Sequence, residues 1–129
     1  MATLKKSLTI TSAAGDLLTD ALSLTMTKSV TVSGNTNMKL VTFASTDAKT
    51  IAAADGRSIV YLKNSSATDV QVDIYTDSDD GAEATPEATE LIMEIKQGEF
   101  ALFPCALDHA LLAKPASTAA TLEVGVFTV

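Results

Sequence analysis

Histidine and cysteine each occur once in this 129-residue chain, at His109 and Cys105, and tryptophan is absent. A single cysteine rules out an intrachain disulfide, which excludes the cross-linked framework of small secreted modules. A zinc site needs several His or Cys ligands, and two such residues do not supply one. Aromatic residues make up 5% of the chain. Tyr61, Tyr75, Phe43, Phe100, Phe103 and Phe127 fall mostly where a core wants them, so a sugar-binding platform has little support. Glycine-rich phosphate loops, paired catalytic carboxylates and basic stripes with interleaved aromatics are missing too. No catalytic, cofactor or metal residue is assigned, and the chain is not expected to be an enzyme.

Long apolar runs are also lacking. The run 101–107 is among the longest, against the ~20 residues that a spanning helix requires. Membrane insertion is therefore not expected. Ser7, Thr9, Thr11 and Ser12 interrupt any signal-peptide core behind Lys5 and Lys6. No secretory signal is expected, and synthesis in a reducing cytoplasm is.

Positive charge is scarce in the second half. Residues 1–63 carry seven basic and four acidic side chains, a balance of +3, whereas residues 64–129 carry two and twelve, a balance of −10, giving −7 in all. Such a surface repels phosphates, so a nucleic-acid partner is not expected. Most of the acids read as a solvated, solubilising face.

What the chain does contain is strand grammar. Leu22, Leu24, Met26, Val30 and Val32 alternate with Ser and Thr, a period of two that fits a half-buried strand, and Lys28 interrupts the apolar face as a bend, a snorkelling stem or a turn. Gly34 to Asn37 is turn chemistry, and residues 38–44 read as the next strand. The segment 47–54 has no clear period and fits either a helical turn or a strand. Residues 58–63 and the alternating Val70, Val72 and Ile74 read as a hairpin around the turn 64–69. Residues 91–95 and 100–103 flank Gln97-Gly98, whose glycine suits a tight reversal. Leu111 and Leu112 open a short strand that Lys114-Pro115 stops, and Leu122, Val124 and Val126 alternate through a final one. About eight or nine short antiparallel strands predict an all-β sandwich or barrel, one domain over 1–129 with residues 1–12 as an N-terminal arm.

Three local clusters invite chemistry. The stretch 77–90 holds Asp77, Asp79, Asp80, Glu83, Glu87 and Glu90 with no base. It reads as an exposed loop, and its carboxylates do not match an EF-hand spacing around Gly81. Cys105, Asp108 and His109 are neighbours in sequence, whereas nucleophilic sites draw such groups from separate segments; a buried Cys beside a surface His is the simpler reading. Asn64-Ser65-Ser66 matches a glycosylation sequon and is more simply a turn.

The distal half runs Ile59-Val60-Tyr61-Leu62-Lys63-Asn64, then Ile95-Lys96-Gln97-Gly98-Glu99-Phe100-Ala101-Leu102-Phe103-Pro104, then Leu112-Ala113-Lys114 and Thr121-Leu122-Glu123-Val124. This ordered set resembles small virion proteins of tailed bacteriophages, of the capsid cement or decoration type. The similarity spans about residues 58–129; residues 1–57 and the acidic stretch lie outside it. It implies a jelly-roll-like sandwich and a structural role on the capsid exterior of the virion. The partners it implies are the major capsid protein and the chain itself, as a homodimer or homotrimer. The arm, through Thr3, Lys5, Lys6, Leu8 and Ile10, is the expected partner-binding segment, lying across a neighbour as an added strand. Alternatives are a neck, tail or fibre-base protein, separated by copy number per particle, and a sandwich module for calcium or sugar, separated by chelator-sensitive melting or a glycan-induced shift.

Overall fold

A computed structural model describes residues 2–13, 22–32, 37–53, 56–77, 88–107 and 109–129. The chain forms two compact units, Met1–Ser33 and Gly34–Val129. The described residues contain ten strands and form an all-β structure, against the eight or nine expected.

The first unit is an antiparallel hairpin of β1 (Ala2–Ser12) and β2 (Leu22–Val32), paired along the whole length from Ala2 opposite Val32 to Ser12 opposite Leu22. Alternation of Ser or Thr with larger apolar residues on both strands drives this pairing. The interruption expected at Lys28 is not a turn: β2 continues through it, with Lys28 directly opposite Lys6.

The second unit contains β3 (Asn37–Phe43), β4 (Lys49–Ala52), β5 (Gly56–Asn64), β6 (Val72–Asp77), β7 (Ala88–Ile95), β8 (Phe100–Leu107), β9 (Leu111–Pro115) and β10 (Ala120–Thr128). They form two four-stranded sheets, ordered β3-β10-β5-β8 and β4-β9-β6-β7, with every pairing antiparallel. Of the connections between successive strands, only that from β6 to β7 stays between neighbours in one sheet; the others pass from sheet to sheet. This is the strand order of a jelly roll, in which crossing connections close two sheets over one core.

Inward-facing alternate residues build that core. Phe43, Val60, Leu62, Leu122 and Val124 come from one sheet, and Ile51, Val72, Ile74, Ile95, Leu111 and Ala113 from the other. The segment with no clear period contains the strand β4, whose Ile51 and Ala52 are buried. At the corner before it, Lys49 Nζ donates to the Thr42 carbonyl at 2.7 Å and stands 5.3 Å from the Phe43 ring centroid.

The expected hairpin of residues 58–63 with Val70, Val72 and Ile74 does not form. β5 pairs with β10 and β8, while β6 pairs with β7 and β9 in the opposite sheet. The physical reason lies in Asn64, which is fully buried. Its Nδ2 donates to the Val70 carbonyl at 2.6 Å and to the Ile95 carbonyl at 2.9 Å, and its Oδ1 accepts from the Ser66 amide at 3.1 Å. These bonds satisfy the backbone where the chain leaves one sheet for the other, so the turn-rich segment serves as a crossing. The reversal at Gly98, with φ of 79°, is likewise a crossing between β7 and β8. Gly98 N donates to the Asn64 carbonyl at 2.8 Å, and Asn64 N donates to the Glu99 carbonyl at 3.0 Å.

Candidate interaction surfaces

In the hairpin, side chains alternate between two faces. One carries Thr3, Lys5, Ser7, Thr9 and Thr11 opposite Thr31, Ser29, Thr27, Thr25 and Ser23. Hydroxyl pairs reinforce it: Ser7 and Thr27 lie 3.2 Å apart, Thr9 and Thr25 3.4 Å. The other face carries Leu4, Lys6, Leu8 and Ile10 opposite Val30, Lys28, Met26 and Leu24. The five expected partner-binding residues are therefore divided: Thr3 and Lys5 belong to the hydroxyl face, and Lys6, Leu8 and Ile10 to the apolar one. Leu8, Ile10, Leu24 and Met26 are each between 41% and 53% exposed. A lone two-stranded ribbon is marginal in water unless an apolar face is covered by a further layer. Two lysines directly opposite each other also repel, which weakens the ribbon at its middle.

A second surface lies on the outer face of the β3-β10-β5-β8 sheet. One row across the strands reads Leu40, Glu123, Lys63, Phe100, and the next reads Met38, Gly125, Tyr61, Leu102. Met38, Leu40, Phe100 and Leu102 are between 44% and 66% exposed. The Met38 thioether lies over Gly125, where a Cβ would meet its sulfur at 2.5 Å. Large apolar side chains left open in adjacent rows make this face a candidate interaction surface.

Glu123 organises the centre of this face. Ser65 Oγ donates to its Oε1 at 2.6 Å, Tyr61 Oη donates to its Oε2 at 3.3 Å, and Lys63 Nζ lies 3.8 Å from Oε1. The Ser65 hydroxyl above all, with Lys63 and Tyr61 helping and desolvation opposing, holds the Glu123 carboxyl below the usual glutamate range. Burial first, then the charge and hydrogen bond of Glu123, pushes the Tyr61 phenol up. Sequence reading missed this surface. Its one local signal was the apolar run 100–103, which places large residues on both faces of a strand.

The outer face of the other sheet is different. Asp73 stands between Lys114 and Glu94 on neighbouring strands, and Gln71 Nε2 donates to Asp73 Oδ1 at 2.6 Å. That face carries charges of both signs, and beside them Leu91, opposite Tyr75, is 48% exposed.

The remaining clusters are placed as follows. Cys105 is half-buried against the core on β8, opposite Ser58, while His109 is exposed beyond the strand; Asp108 lies outside the described residues. Ser58 is fully buried, and its hydroxyl has no hydrogen-bond partner among the described residues. The acidic stretch is shorter than a loop over 77–90: Asp77 is buried at the end of β6, residues 88–90 belong to β7, and 78–87 lie outside the described residues. Asn64 of the sequon is buried and fully hydrogen-bonded. Among the described residues no helix is long and apolar enough to cross a membrane, and no group of three or more His, Cys, Asp and Glu is placed to hold a metal ion. No protein-family model, curated protein or solved structure matches this chain.

Proposed function

We propose that this chain is a structural virion protein of the cement or decoration type, which binds the outer surface of a tailed-phage head and reinforces contacts between major capsid protein subunits. The observation that carries the reading is the apolar face of the β1–β2 hairpin, open at Leu8, Ile10, Leu24 and Met26. An apolar ribbon face gains a covering layer by lying on another protein, and strand edges offer backbone donors and acceptors to a neighbouring strand. Support also comes from the likeness of residues 58–129 to decoration proteins and from a jelly-roll order, an architecture used by viral capsid domains among others.

The energetics suit a repeated weak contact. Each of the four apolar side chains is about half exposed, so covering it contributes about 1 kcal/mol. Lys6 and Lys28, flanked by these residues, require acidic groups on the surface that receives them. One such contact is weak against the cost of association, and homodimers or homotrimers raise it through multivalency. Binding that exists only on the assembled lattice then stabilises the lattice over free subunits by mass action.

The test is to count this chain on purified particles and to repeat the count with Leu8→Asp and Met26→Asp. Hundreds of copies over the head, falling at least tenfold in the double variant while the circular dichroism of the sandwich persists, are the expected result. A few copies at one vertex would instead assign a neck, tail or fibre-base role. Absence from particles, or unchanged occupancy in the variant, would reject the proposal.

A further inference from the structure

The outer face of the β3-β10-β5-β8 sheet has a pattern that is complementary to itself. Numbering its columns in sheet order, an apolar column stands at each edge, with Leu40 and Met38 on β3 and Phe100 and Leu102 on β8. The two central columns carry opposite charges in the same row, Glu123 on β10 and Lys63 on β5. A two-fold axis that runs parallel to the strands between β10 and β5, in the plane of contact, exchanges the columns. Glu123 then lies over Lys63 of a second copy and Lys63 over its Glu123, while Leu40 faces Phe100 and Met38 faces Leu102 in both directions. No residue on either row meets a like charge. A contact in which residue i meets residue j and j meets i is the property of an isologous interface.

We infer that this face is a dimer interface, and that its occupant is the same face of a second copy of this chain. The inference concerns the sandwich alone and does not rest on the capsid reading. A patch built for an unrelated partner has no reason to satisfy this symmetry, since its charges would complement that partner. Four strands at roughly 4.8 Å spacing give a contact about 19 Å across, which runs from the charged row at the ends of β5 and β8, Lys63 and Phe100, through the row of Met38 and Leu102. That is the small, transient end of protein interfaces, so the dimer is expected to be weak and concentration-dependent. The charges add register more than strength. Glu123 is already held by Ser65, Tyr61 and Lys63, so it enters the contact with its hydrogen bonds made. Aligned sheets keep their mean strand directions within about 30° of each other, so the central columns match best near the axis and the twisted edges diverge, where the flexible Met38 side chain takes up the mismatch. The outer face of the other sheet lacks the two apolar edge columns: its charged row reads Lys114, Asp73, Glu94, with one acid in excess.

Sedimentation equilibrium of the full chain tests this, with paired charge reversals. Wild type is expected to be a concentration-dependent dimer. Lys63→Glu and Glu123→Lys, each alone, place like charges opposite one another in all four positions and weaken the dimer by at least ~30-fold, the scale of an unpaired charge at an interface. An equimolar mixture of the two variants restores the dimer as a heterodimer, because two acids then face two bases. Leu40→Lys and Phe100→Glu form a second pair at residues more than half exposed, where folding is not in question, and they too should dimerise only when mixed. A monomeric wild type overturns the inference. Dimers that survive the single reversals place the contact on another face and also overturn it. If single variants dissociate and neither mixture reassociates, the two-fold register is wrong.

Discussion

Asn64 offers the sharpest test of how this fold is held. It is fully buried where β5 ends, and its side chain makes three hydrogen bonds, to the Val70 carbonyl, the Ile95 carbonyl and the Ser66 amide. Replacing it with Ala removes all three and leaves buried backbone groups unpaired. At about 1 kcal/mol for each bond, with a further penalty for stranded groups, the loss comes to about 4 kcal/mol. That is a large share of the roughly 5–15 kcal/mol that keeps a domain folded. Asn64→Asp separates hydrogen bonding from packing, since volume is kept but the Nδ2 donor becomes an acceptor facing two carbonyl oxygens. Burial and those oxygens raise the new carboxyl's folded pKa above its unfolded value. The protonated form is then favoured in the folded state, so the variant loses stability as pH rises through the interval between the two values, and it is worse at pH 7 than at pH 3. Urea unfolding followed by tyrosine fluorescence suits the measurement, because both tyrosines, Tyr61 and Tyr75, lie in the sandwich. The expected outcome is a lower midpoint at unchanged slope. A loss under about 1 kcal/mol for Asn64→Ala, set against the three bonds, or an Asn64→Asp variant indifferent to pH, would refute this account.

Ala119 adopts φ of 67°, the left-handed region, while its amide donates to the Phe43 carbonyl at 3.0 Å. Ala119→Gly removes the Cβ strain and should raise stability by about 0.5–1 kcal/mol in the same urea assay, a net of the left-handed cost and the added unfolded-state entropy. Because the Glu123 carboxyl is held below its ordinary range, it contributes stability that is present above its unfolded pKa and lost as pH falls through its folded one. Glu123→Gln should therefore be less stable than wild type at neutral pH, with the two curves converging in acid; a constant gap across the titration would contradict it.

Where a segment's own periodicity set its structure, the sequence was readable. The alternation from Leu22 to Val32 is β2, and Leu122 and Val124 point into the core of β10 as their spacing requires. β4 was not readable, because Ala52 and its neighbouring alanines pack equally well in a helix or a strand, and only the pairing with β9 decides. The mistaken hairpin has the same origin. Turn residues between β5 and β6 permit either a reversal within one sheet or a crossing to the other, and local chemistry does not distinguish them. The choice is made by the Asn64 side chain and Ile95, 31 residues apart. An asparagine at a strand end looked like a turn former and is instead a buried bridge.

The exposed rows of the β3-β10-β5-β8 sheet failed to show in the sequence for a related reason, whereas Lys6, Leu8 and Ile10 of the hairpin's apolar face were among the residues it pointed to. In the run from Phe100 to Phe103, apolar residues occupy both parities, which normally means a strand covered on both sides. Here Ala101 and Phe103 pack on the core, while Phe100 and Leu102 remain exposed. Residues 8, 10, 24 and 26 of the hairpin repeat the pattern: Ser and Thr hold one face, and the apolar face lies open. A one-residue slip in either strand would turn these faces over, so register is fixed by burial only if something buries them. The β4-β9-β6-β7 sheet carries Asp73, Glu94 and Lys114 on its outer face, and its strand β7 also leaves Leu91 and Ile92 exposed. The opposite exterior arranges Leu40, Met38, Phe100 and Leu102 about a Lys63–Glu123 pair whose members lie sixty residues apart, and it is on this arrangement that the proposed dimer rests.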